Sequence, residues 1–142
     1  MRIRDEVVRL NERWRDLIKK DFIEEVKAVF VLIFGSYAKG NVRDESDLDI
    51  AYYADKKLSP YERFIYAQKL ADTLGMEIDL VDIREVDTVF AAQIFSTGEV
   101  IYCRDESIFN RERMKALSMY AHLNEQRAEI LQGIMKRGSI YE

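Results

Sequence analysis

Cysteine, proline and histidine each occur once in this 142-residue chain, as Cys103, Pro60 and His122, and no charge sign dominates. Each scarcity excludes something. A single cysteine cannot form an internal disulfide, and nothing then points to an oxidising compartment. Its neighbours Val100-Ile101-Tyr102 read as a strand, which makes Cys103 a buried, inert thiol. The lone histidine lies in a helical stretch and reads as a surface or satisfied residue, not a ligand or base. With 22 basic against 26 acidic residues the net charge is -4, so the basic footprint of a general nucleic-acid binder is missing. The longest apolar run, Ala28 to Phe34, is too short for a membrane span, and the charged Met1–Glu6 start has no apolar stretch of a secretion signal behind it. A soluble, cytoplasmic protein without membrane contact is the expectation.

The remaining composition is that of a globular protein, 48% hydrophobic and 34% charged, and residues 1–142 suit one domain able to bury a core. From about Asp5 to Val26, Val7, Leu10, Trp14, Leu17 and Ile18 make one face of a helix. Ala28–Phe34 is a continuous run of β-formers, predicting a strand buried on both faces and ending at Gly35. Leu48–Tyr53 predicts a second strand, with Tyr52 in the core and Tyr53 at an edge. Ser59-Pro60-Tyr61-Glu62 combines a capping serine, a proline at the first helical position and a capping-box glutamate. The helix it starts carries Phe64, Ile65, Ala67, Leu70 and Leu74, and Gly75 ends it. Glu77–Ile83 predicts a third strand, Val89–Phe95 a short helix running to Gly98, and Glu99–Cys103 a last strand.

A long helix is predicted from Ser107 to Met135. Met114, Leu117, Ala121, Asn124, Ala128, Leu131 and Met135 follow the alternating three-and-four spacing of a coiled-coil seam, interrupted by Asn124. Roughly 29 residues at 1.5 Å each reach about 43 Å, as long as a domain of this size is wide, so part of the helix can overhang. A second stripe, Tyr120, Leu123, Ile130 and Ile134, lies beside the seam. Either one stripe covers the sheet while the other takes a partner chain or a second copy of this one, or both are buried within the monomer.

The chemistry concentrates in Gly35-Ser36, a ten-residue spacer and Asp47-Leu48-Asp49. A strand running into glycine lets the backbone turn sharply and bring N–H groups close to an anion. A helix starting at Ser36 would aim further N–H groups and its dipole at phosphate, with Lys39 and Arg43 near enough in sequence to add positive charge. Asp47 and Asp49, two apart at a strand's edge, point to one face about 6–7 Å apart. Two carboxylates so placed repel unless a cation lies between them, and magnesium is held by such carboxylates together with substrate phosphates. Two such ions about 3.5–4 Å apart can hold both oxygens of an in-line phosphoryl displacement. Asp79, flanked by Ile78 and Leu80 on the third predicted strand, supplies a third acid that could bind metal or take the acceptor's proton. Its apolar neighbours suggest a deliberately buried group; Glu77 shares its parity and Asp82 lies on the opposite face.

These residues match the signature of the DNA polymerase β-like nucleotidyltransferases. Tyr37-Ala38-Lys39-Gly40, Ser46, Ile78-Asp79-Leu80-Val81 and Gly98–Tyr102 resemble its small prokaryotic members, the minimal nucleotidyltransferases or MNT/MntA antitoxins. The resemblance covers most of the chain. It implies an α/β fold with a small mixed sheet of the polymerase β-like type, flanking helices and a long C-terminal helix, about 107–135, available to a partner. The carboxylate face of that sheet is expected to be open and the other covered by helices. By the same resemblance Gly35 and Ser36 bind the triphosphate, Asp47, Asp49 and Asp79 bind two Mg2+ ions, and ATP is the substrate. It further implies transfer of AMP to a tyrosine of a partner HEPN toxin. A small-molecule or RNA acceptor is a second reading, but such enzymes generally carry a further domain. A third is an antitoxin that works by contact alone. Tyr37 can line the nucleotide site or simply pack, and Arg111-Glu112-Arg113 with Lys115 reads as a solvated helical face.

Overall fold

The computed structural model describes residues 13–35 and 47–141, with side chains to residue 136. The start of the first predicted helix, and Ser36, Tyr37, Lys39 and Arg43, lie outside the described residues. Helix α1 (residues 13–26) buries Trp14, Ile18, Phe22 and Val26, each four after the last. A π-helical turn at Lys19–Ile23 explains that spacing, because a wider turn keeps side chains four apart in line. Lys27, in the left-handed region at φ 54, ends α1 and turns the chain into the sheet.

Four strands follow: β1 (Ala28–Phe34), β2 (Leu48–Ala54), β3 (Ile78–Asp82) and β4 (Glu99–Cys103), in the spatial order β3-β2-β1-β4. β1 is central, antiparallel to both β2 and β4, while β2 and β3 run parallel. That mixed sheet was expected, and so was the burial of every residue of β1. The parallel pair is joined by α2 (Pro60–Leu74), which starts with the capping box read from the sequence. Ser59 Oγ accepts from the Glu62 N–H at 3.1 Å, and Glu62 Oε1 accepts from the Ser59 N–H at 3.2 Å. Gly75 ends α2 at φ 69, where its lack of a side chain is useful. α3 (Thr88–Thr97) is capped by Asp87 and leads into β4. α4 (Glu106–Tyr141) starts where Asp105 Oδ1 accepts from the Ser107 and Ile108 N–H groups.

Three expectations need correction. The sheet is not covered on one face only. α1 and α2 pack on Leu48, Ile50, Tyr52 and Leu80, whereas α3 and α4 pack on Phe30, Leu32, Phe34 and Ala51 of the other face. At one end of that second face Asp79 is exposed. In α2, Leu70 is the buried apolar residue, and Phe64 and Ile65 are 56% and 45% exposed. A 15-residue helix lying over one sheet edge cannot turn all its apolar residues inward. Neither stripe of α4 covers the sheet, which it contacts instead through Ile108, Phe109 and Ala116. The overhang does occur, since Ile130, Leu131, Ile134 and Met135 are 54–73% exposed. Among the described residues, no helix is long and apolar enough to cross a membrane.

Candidate active site

Strand register brings the chemistry together. Phe34 of β1 pairs with Asp49 of β2, and Asp49 pairs with Asp79 of β3, in one row across three strands. Paired residues in a sheet point to the same face, so Asp49 and Asp79 stand side by side next to the end of β1. The Leu48 N–H donates to the Glu77 carbonyl at 2.9 Å, extending the parallel ladder by one rung and seating Asp47 beside Glu77. Asp47 and Asp79 are exposed and Asp49 is half-buried.

Gly35 closes the row. It sits at φ 75, and a Cβ there would meet Asp49 Oδ2 at 2.2 Å. Glycine is required for the left-handed turn, and a Cβ there would in addition displace the Asp49 carboxylate.

Among the described residues, acidic groups are the only charges that perturb Asp49. Asp49 is pushed up to about 6, first by burial and then by the charges of Asp79 and Asp47. Glu77 is raised too, by its hydrogen bond with Asp47 and then by that residue's charge. Among the described residues, none of the ion pairs involves Asp47, Asp49 or Asp79. A hard cation would relieve the repulsion, so the donor set fits magnesium chemically. No group of three or more acidic, histidine or cysteine side chains among the described residues is gathered to hold a metal unaided. Substrate phosphates would have to complete the coordination, as is usual for magnesium.

Of the residues singled out beforehand, Gly35, Asp47, Asp49 and Asp79 are brought to one place, while Ser36, Lys39 and Arg43 lie outside the described residues. Asp79 is not the buried acid its apolar neighbours suggested, because β3 is an edge strand and this end of its face is bare. The buried acid is Asp82, 1% exposed, which accepts from the Arg84 backbone N–H at 2.9 Å and from its Nε at 3.2 Å. Sequence reasoning also missed a recess of about 190 Å³ that borders Gly35 and is lined by Phe34, Phe90, Gln93, Ile94 and Thr97. Nothing in the local pattern of α3 marks it, since only tertiary packing lays that helix beside Gly35. Cys103 is half-buried, and burial pushes its thiol up, in keeping with an unreactive role.

The chain is similar to several known proteins. The family described as polymerase beta, nucleotidyltransferase matches residues 16–107. The protein adenylyltransferase MntA of Shewanella oneidensis is 34% identical over 128 residues, covering 89% of this chain and 88% of that protein. A toxin–antitoxin crystal structure with AMP-PNP superposes with a TM-score of 0.75 at 32% identity, over 85% of this chain and 98% of the other. An MNT antitoxin in complex with a tri-AMPylated Shewanella oneidensis HEPN toxin gives 0.71 at 30% identity, over 87% of this chain and 98% of the other.

Proposed function

Because this chain belongs to the polymerase β nucleotidyltransferase family, we propose that it transfers AMP from ATP to a tyrosine hydroxyl of a HEPN-type toxin and so acts as that toxin's antitoxin. The observation that carries this reading is the registered pair Asp49–Asp79 standing against Gly35. The relative named for protein adenylylation and the similar antitoxin bound to an AMPylated HEPN toxin support the acceptor class.

Each residue then has a task. Gly35 and Ser36 hold the β- and γ-phosphates through backbone N–H groups, and Lys39 and Arg43 add positive charge. Asp47, Asp49 and Asp79 would hold two magnesium ions, which when bound neutralise phosphate charge and steady the attacking and leaving oxygens. The tyrosine oxygen attacks the α-phosphorus and the bond from that phosphorus to pyrophosphate breaks. The hydroxyl proton passes to an Asp79 carboxylate oxygen. Positioning and electrostatic neutralisation supply most of the acceleration. The exposure of Asp79 suits an acceptor as large as a folded protein. A small-molecule or RNA acceptor has less support, because the similar proteins are a protein adenylyltransferase and an antitoxin in complex with an AMPylated HEPN toxin.

A second reading, silencing by contact alone, is favoured by the bare apolar end of α4. One experiment separates them. The protein is captured from its native host with whatever it binds, and the complex is given ATP and magnesium. A partner that gains AMP mass on a tyrosine, and does not with Asp49→Asn, establishes the transferase. A tight complex without mass change establishes the contact antitoxin, and the absence of any partner returns the acceptor to the small-molecule class.

A further inference from the structure

Helix α2 presents apolar residues to water. Leu70 is its buried residue, and the stripe opposite Leu70 at helical spacing, Tyr61, Ile65, Gln68 and Asp72, is exposed. A solvent-facing stripe normally carries polar and charged residues. This one begins with Tyr61, 73% exposed, and Ile65, 45% exposed, with Phe64 beside them at 56%. The three lie adjacent or three and four residues apart, so their side chains form one patch. A single exposed apolar side chain is ordinary, whereas a contiguous group of large ones marks a contact surface.

The same stripe leads to the active site. Gln68 and Asp72 form one wall of an open cleft of about 550 Å³, and Glu77 and Ile78 at the start of β3 form the other. The bond from the Leu48 N–H to the Glu77 carbonyl, 2.9 Å long, seats Glu77 beside Asp47. Patch and cleft thus make one strip that ends at the catalytic carboxylates, about 21 Å from Tyr61 to Gly75 at 1.5 Å per residue. None of the ion pairs among the described residues involves Asp72 or Glu77. Among the described residues that line the cleft there is no cation. A partner surface bearing carboxylates is repelled there, and one bearing lysine or arginine is attracted, most strongly at low salt.

We propose that this strip docks the acceptor protein of the transfer reaction, whose apolar ridge covers Tyr61, Phe64 and Ile65 and whose lysine or arginine enters the cleft beside Asp72. The proposal rests on the nucleotidyltransferase reading above. Ile65 and Asp72 are about 10 Å apart along the helix, which sets the spacing of the two contacts on the partner. Binding energy gathered away from the reacting groups then positions the tyrosine at the open carboxylate end.

The test is steady-state AMP transfer from ATP, with magnesium, to the purified HEPN-type acceptor of the native host. Wild type is compared with Phe64→Ser combined with Ile65→Ser, and with Asp72→Lys, and calorimetry follows acceptor binding alongside. The double variant should raise KM for the acceptor about tenfold and leave KM for ATP and kcat unchanged. Asp72→Lys should raise the acceptor KM at low salt and much less at high salt. If transfer proceeds and the acceptor KM is unchanged in both variants, the docking strip is wrong and the transferase reading stands. If wild type transfers no AMP but forms an acceptor complex that the variants weaken, the strip stands and the transferase reading falls. If the protein alone sediments as a dimer and the double variant as a monomer, a second copy covers the patch and the proposal fails. All three positions are exposed, so the variants are expected to fold. Should the double variant not fold, Asp72→Lys still decides the matter.

Discussion

The two ends of one face of the sheet are built from the same strands at the same parity, yet they do opposite things. At the far end Phe30 stacks on Tyr53 and meets Phe109 edge-on, with centroids 5.2 and 5.0 Å apart, and α3 and α4 close over them. At the near end the same parity in β2 and β3 delivers Asp49 and Asp79, and Asp79 is open to solvent. One end gains stability by burying aromatic surface. The other accepts a half-buried Asp49 whose pKa is raised by burial and by the charges of Asp79 and Asp47, beside a glycine in a left-handed turn. A functional site spends stability that the packed end of the same strands supplies.

The contrast can be broken from either end. Asp49→Asn should lower AMP transfer at least about a thousandfold while leaving the fold intact, measured as the rate of partner mass gain. Phe30→Ala, which empties the centre of the aromatic end, should cost about 3–5 kcal/mol of stability by urea unfolding. Gly35→Ala forces a Cβ against Asp49 Oδ2 in a left-handed turn and should cost about 2 kcal/mol, with transfer lost in molecules that still fold.

A subtler prediction sharpens the comparison. Asp49 carries a pKa raised to about 6 from 3.8, so the folded state binds more protons than the unfolded one between those values. Without divalent ions, stability should therefore fall as pH rises from about 4 to 6 and then stay level as far as this group is concerned. Asp49→Asn should remove that dependence and, with solvent screening of this half-buried group reducing the effect, stabilise the ion-free protein at pH 7 by at most about 1 kcal/mol, seen as a higher Tm. Magnesium should raise the wild-type Tm and not that of the variant. An Asp49→Asn protein less stable than wild type at pH 7 would show that the carboxylate cluster carries no repulsion. Smallest of all, Leu131→Ser with Met135→Ser should change the monomer's unfolding free energy by less than about 0.5 kcal/mol, because those side chains are 60% and 73% exposed. In capture experiments the same pair should weaken any partner held by the overhanging helix.

Much of this was legible beforehand because it depends on neighbours in the chain. The burial of β1 followed from seven consecutive β-formers, the start of α2 from Ser59-Pro60-Tyr61-Glu62, and its end from Gly75. Gly35, Asp47 and Asp49 were legible for the same reason, since a glycine turn and a two-residue period are local geometry. Asp79 was preferred over Glu77, which shares its parity, for its apolar neighbours, but its burial was misjudged, because exposure depends on which strand is the edge and where the covering helices stop. The role of Ala116 over Leu117 in α4 was illegible as well. Helical spacing gives stripes, and only the docked neighbour decides which stripe is buried.

By itself, then, the order of residues determined the elements, the aspartate pair and the glycine that ends β1, all of which are set by backbone sterics and side-chain period. Only the tertiary structure decided that Asp49 and Asp79 share one row, that Gly35 presses on that row, and that α3 brings Phe90 and Gln93 beside it. These are contacts between segments remote in sequence, fixed by strand register and by packing against a common core. No local rule of spacing encodes either of them.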